Sequence, residues 1–176
     1  MEEQVKESGF TLSKKVEISS GLINVIVAGY QIALNKTLGP GAAAMTQLLI
    51  KDIGEFLEDL LEDAGFELHD ISDLSSDIPK AFQMLGISQR VEVETPSNGS
   101  NKGDKYIIKI YDSIFRPVAL LLEKKGIKFT LSPESFLAAA LVRKAIRKQK
   151  SDAQIKIKVR PQKSPDEPLV VEVEVR

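Results

Sequence analysis

Apolar and polar positions along this chain follow two periods, three-to-four throughout the first half and again in two later stretches, and two in segments that begin at residue 89. In "GLINVIVAGYQIALNKTLG" the residues Leu22, Ile23, Ile26, Val27, Tyr30 and Leu34 form a broad helical stripe, with Ser19 or Ser20 as cap and Gly39 as stop. After the Gly39-Pro40-Gly41 turn, Met45, Leu48, Leu49, Ile53, Phe56, Leu57, Leu60 and Leu61 recur at the same spacing. Asp52, Glu55, Asp59, Glu62 and Asp63 fill the other side, so the pattern predicts a long amphipathic helix ending at Gly65. "SSDIPKAFQMLG" predicts a short helix over Asp77 to Leu85, with Pro79 in its first turn and Gly86 past its end.

In "RVEVE" Val91 and Val93 alternate with glutamates, residues 96 to 103 read as a loop, and "KYIIKIY" returns as the second strand of a hairpin. "SIFRPVALLLEKKG" predicts a helix with Pro117 near its start, and "SPESFLAAALVRKAIRKQK" a second with Ser132 as cap and Pro133 at the first helical position. "AQIKIKVR" and "LVVEVEVR" close the chain as a second hairpin, in which Lys156, Lys158 and Arg160 can face Glu172 and Glu174. The expected fold is α+β: helices packed on a four-stranded, mainly antiparallel sheet made of two hairpins. Residues 1–20 form a polar segment, loose or a short edge strand near Phe10 to Ile18, and 21–176 a single domain.

Composition narrows the chemistry. The formal net charge is -1, which gives no global attraction to nucleic acid or an acidic membrane. There is no cysteine and one histidine, His69, so thiolate sites, disulfides and multi-histidine metal sites are excluded. The acidic residues on the 52–63 helix have the spacing of a solvent face, and His69 in "FELHDISD" reads as a surface histidine without an oxyanion-hole motif nearby. Arg143, Lys144, Arg147, Lys148 and Lys150 complement the dipole of the helix they end. A mid-helix glycine such as Gly54 costs about 1 kcal/mol against alanine and calls for a close contact to offset it. No run reaches the roughly 18 residues of a spanning helix, so a cytoplasmic protein without metal, cofactor or catalytic residues is expected.

The order of elements resembles the 4-vinyl reductase or hydrocarbon-binding domain family, relatives of Bet3-type subunits of TRAPP trafficking complexes. The resemblance rests on "LGPGAAAMTQLLIKDIGEFLEDL", "AFQMLGISQRVEVE", "SPESFLAAALVRKAI" and the closing hairpin. The cysteines that many members carry are absent. The resemblance implies a homodimer, with Gly39, Gly41, Ala43 and Gly54 as close-packing positions of the helices around the Gly-Pro-Gly turn. It also implies an apolar pocket between sheet and helices for a hydrophobic small molecule, with Phe56, Phe82, Ile108, Ile110, Phe129, Phe136 and Ala139 as lining candidates. Two functions stay open: a non-enzymatic module that binds or senses a hydrophobic ligand, and an assembly scaffold whose core is full.

Overall fold

The computed structural model describes residues 20–96, 104–129, 132–149, 155–160, 162, 164 and 166–175, and the side chains of all of these save residues 20, 43, 46–51 and 55. The expected strand near Phe10 to Ile18 lies outside the described residues. Among the described residues, five helices run over Ser20–Leu38 (α1), Ala42–Asp63 (α2), Leu74–Met84 (α3), Arg116–Lys124 (α4) and Pro133–Arg147 (α5), and four strands over Arg90–Glu94 (β1), Lys105–Tyr111 (β2), Ile155–Arg160 (β3) and Leu169–Val175 (β4). The protein is α+β, as its two periods predict.

The strands form one antiparallel sheet in the order β1-β2-β4-β3, two hairpins joined along β2 and β4. The register puts Val91 against Ile110, Val93 and Val171 on either side of Ile108, and Ile157 and Tyr106 on either side of Val173, so one face is apolar throughout. The other face carries charges. Lys156 lies opposite Glu174 and Lys158 opposite Glu172, with Lys158 also reaching Glu174 at 3.5 Å. Glu172 takes Lys105 at 2.8 Å and Arg160. The Lys105 hydrogen bond, then that of Arg160, holds its carboxyl below the ordinary value. Glu92, paired with Arg90 at 2.7 Å, is lowered for the same reason.

Helix α5 lies between the apolar sheet face and α2, and eleven of its fifteen residues are buried. Its run of alanines lets it be approached from two sides. Leu137, Ala138, Leu141, Val142 and Ala145 join Phe82 and Ile78 of α3 and Ile108, Ile110, Val171 and Val173 of the sheet in the main core. Ser132 caps α5, its hydroxyl accepting the Ser135 N–H at 3.4 Å. Helix α2 crosses the outer side of α5 at Gly54, where an added Cβ would sit 3.1 Å from the Ala140 Cβ. That contact is the offset which the mid-helix glycine requires, and it lies within one chain.

Helix α2 closes with Gly65 at φ +80, whose N–H donates to the Glu62 carbonyl at 2.8 Å while the Phe66 N–H reaches Leu61 at 2.9 Å. The left-handed glycine lets the chain turn and the following apolar residue fold back on the core. Helices α3 and α4 end the same way, at Gly86 followed by Ile87 and at Gly126 followed by Ile127. Helix α3 begins at Leu74, three residues before the expected start, after a 3₁₀ turn over Ile71–Asp73. Pro79 therefore sits inside the helix, beyond its first turn.

The stripe expected to bury α1 is split: Ile23 and Val27 pack partly buried against the core and Leu34 is half-buried, while the rest turns outward. Asn24, Ala28 and Gln31 are its buried residues, whereas Leu22, Val25, Ile26 and Tyr30 are 55%, 69%, 48% and 69% exposed. Asn24 donates its amide to the Ile114 carbonyl at 2.7 Å, which fixes this face of α1 against the segment leading into α4. Ala28 packs with Val118 and Leu122 of α4 in a second, smaller core.

Candidate functional site

The lining candidates do not gather around a cavity. Phe82, Ile108 and Ile110 share the main core, and a water molecule reaches at most a hundredth of their surface. Ala139 is fully enclosed and Phe136 is buried on the same helix. Atoms with no water-accessible surface border no void that would hold even one water. Phe56 is a correction: it is 65% exposed, on the face of α2 that also carries the exposed Met45 three turns earlier. Phe129 is a second correction, half-buried against the α1–α4 cluster rather than facing the sheet. Between α2 and α5 a cleft of about 10 Å³ lined by Leu61, Phe66, Leu68 and Leu141 has room for about one water.

Within the chain the glycine turn makes no close approach: Gly39 has φ +50 and nothing within 4 Å of an added Cβ, and Gly41 meets only Leu38 at 4.0 Å. The Ala43 side chain lies outside the described ones. Among the three glycines, Gly54 makes the close approach expected.

Three other features combine geometry with chemistry. The first is the outer face of α1. Leu22, Val25, Ile26 and Tyr30 surround Gly29, at which an added Cβ would meet nothing within 4 Å. No residue from Ser20 to Asn35 is charged. Large contiguous apolar patches rimmed by polar residues are a common setting for protein contacts.

The second is the connection between α2 and α3. Asp77 is buried at the start of α3 and accepts the His69 backbone N–H at 2.8 Å, the His69 Nδ1 at 3.1 Å and the Ser76 hydroxyl at 3.3 Å. Lys80 stands 3.9 Å from it. The Lys148 ammonium, from beyond the end of α5, donates to the Leu68 and His69 carbonyls and ties the connection down. His69 is therefore held rather than loose on the surface. Its ring borders a groove of about 400 Å³ together with Gly65, Phe66, Glu67, Lys80, Gln83 and Met84. The sequence signal for this site was Asp77 itself, an acid among Leu74, Ile78 and Ala81 on the apolar face of its helix.

The third is a buried knot at the start of α5. Glu134 accepts hydrogen bonds from Ser113 at 2.5 Å and from Ser132 at 2.7 Å. Burial pushes its carboxyl above the ordinary value, and the two hydroxyls act against that shift. Ser113 also takes the Phe115 N–H at 3.1 Å, so the knot joins the segment before α4 to α5 and presents nothing to solvent.

Of the basic residues ending α5, Lys144 pairs with Glu62 and with Glu58 at 3.8 Å, and the Lys144 hydrogen bond holds the Glu62 carboxyl below its ordinary value. Among the described residues no group of three or more His, Asp or Glu is placed to hold a metal ion, and no helix is long and apolar enough to cross a membrane.

No family model matches the chain. It is similar to an uncharacterized protein of Methanocaldococcus jannaschii, 41% identical over an aligned length of 138, an alignment that covers 73% of this chain and 64% of the relative. The chain thus spans less than two thirds of that relative's length.

Proposed function

We propose that the protein is an assembly module of the cytoplasm, a homodimer whose contact surface is the outer face of α1. The observation that carries this reading is the outward stripe Leu22, Val25, Ile26 and Tyr30, which leaves four large apolar side chains in water around an unfilled Gly29. A second copy is the occupant this face fits: it has no charge to match or to bury, so two such faces meet without an unpaired ion, and Gly29 lets their backbones come close. Basic residues, which draw an amphipathic helix onto an anionic membrane, are missing from the stripe. The filled core supports the same reading, since a hydrophobic ligand between sheet and helices would have to displace side chains already in contact. The resemblance to the 4-vinyl reductase or hydrocarbon-binding domain family, whose Bet3-type relatives are parts of an assembly, agrees with it.

Light scattering on the full chain tests it. The expected mass is twice 19.4 kDa, and Ile26→Glu should give a monomer with unchanged circular dichroism, because burying its carboxylate weakens association by about a hundredfold or more. A wild-type monomer at about 10 µM, or an Ile26→Glu dimer, rejects it.

A further inference from the structure

The outer face of α1 is tapered as well as apolar. With about 3.6 residues per turn, Leu22, Ile26, Gly29 and Ala33 fall within one narrow sector of the helix, and Val25 and Tyr30 flank it on opposite sides. All of them are exposed. The large members of the sector, Leu22 and Ile26, stand in its N-terminal half, and the small ones, Gly29 and Ala33, in its C-terminal half. Beyond Ala33 the same stripe reaches Lys36, which is exposed and is the first charged residue after Ser20.

These positions decide how two copies fit. Set parallel, each large residue meets its own counterpart, the small halves face each other across a gap, and the two Lys36 ammoniums lie side by side. Set antiparallel, the large half of each helix enters the small half of the other. The step from Leu22 to Ile26 equals the step back from Ala33 to Gly29, so one register seats both pairs. In that register the two Lys36 residues stand about 25 Å apart along the helices, well beyond the screening length at physiological salt.

We propose that the two α1 helices of the dimer run antiparallel, with Leu22 of one copy on the partner's Ala33 and Ile26 on the partner's Gly29. This pairing rests on the dimer reading and adds its direction and register. Each contact occurs twice about a two-fold axis that crosses the helices between residues 27 and 28. The same axis brings the Val25 side chains of the two copies to one edge of the seam and the Tyr30 side chains to the other.

The chain has no cysteine, so an introduced thiol reports alone. Lys36→Cys leaves the sector itself intact. Carrying a nitroxide, it should show by electron paramagnetic resonance a separation of about 25 Å or more in the dimer, where a parallel pair would hold the two backbones about 10 Å apart. Leu22→Cys and Ala33→Cys proteins, mixed unfolded and refolded together, should form the mixed disulfide on mild oxidation. Each alone should stay reduced, because its two thiols lie about 16 Å apart along the pair, too far to bridge. Closely spaced labels, a disulfide in either single variant that exceeds the mixed one, or a mixture without the mixed disulfide overturns the antiparallel pairing while light scattering still shows a dimer. A wild type that scatters as a monomer overturns the dimer reading and the pairing with it.

Discussion

Helices α1 and α2 each carry a glycine in mid-course, and the two glycines stand in opposite surroundings. Gly54 is filled from outside by Ala140, close enough that a methyl group would crowd it at 3.1 Å. Gly29 has empty space where its side chain would be, in the middle of an exposed apolar stripe. Both positions give up helix propensity, and only one is compensated inside the chain. The contrast separates a glycine whose reason is visible in the fold from one whose reason, on the dimer proposal, lies in a second copy, and a single substitution at each position tests it.

The largest effect is expected at Gly54. Gly54→Leu drives a branched side chain into α5 and should cost about 3 kcal/mol or more, read as a fall in the urea midpoint. Ala140→Gly should recover part of that loss in the double variant, because it removes the methyl that the new side chain meets. A Gly54→Leu protein as stable as the wild type would show that α2 and α5 do not touch there.

The next effect concerns the same sealed helix and its buried acid. Because burial raises the Glu134 carboxyl above its ordinary 4.5, the folded protein keeps that proton to higher pH than the unfolded chain does. The stability from this group is complete below 4.5 and is lost as pH rises through the folded value. Glu134→Gln should therefore gain on the wild type as pH is raised from 4.5 toward 7 in a series of thermal melts. Parallel curves would mean that the carboxyl titrates as if in water.

The smallest effect is at Gly29. Gly29→Ala has nothing in its way within the chain, so helix propensity should stabilise each protomer by about 0.5 to 1 kcal/mol. The same methyl should weaken association by holding two α1 helices apart, so melting under dilute, monomeric conditions and light scattering should move in opposite directions. If both improve together, Gly29 is not at the contact.

The parts of the fold that were legible in advance are those with one buried side and a strict repeat. Val91, Val93, Ile108, Ile110, Val171 and Val173 alternate with charged or partly exposed residues, and a register slip by one residue would turn this whole set to water. The cap at Ser132 and the stops at Gly65, Gly86 and Gly126 were legible because their backbone chemistry is local. The buried side of helix α1 was only half legible, since an apolar stripe states that a face is covered without stating by what; here Asn24 and Gln31 turn inward beside Ile23 and Val27, and Leu22, Val25, Ile26 and Tyr30 stay exposed. Phe56 misled for the same reason. His69 is exposed, as a histidine in an acidic stretch suggests, and what that stretch does not reveal is its pairing with Asp77, eight residues away and buried.

The seam between β2 and β4 has a further consequence for how the chain is divided. Everything through α4 contributes one complete hairpin, everything from α5 onward contributes the other, and the sheet joins them only along that seam. The turn at Gly126 lies between the two parts, so a break there leaves every strand with its own hairpin partner. Two fragments made in this way would carry matching unpaired edges and a buried helix to share, which is the layout of a complementation pair whose recovery of fold reports that its halves have met.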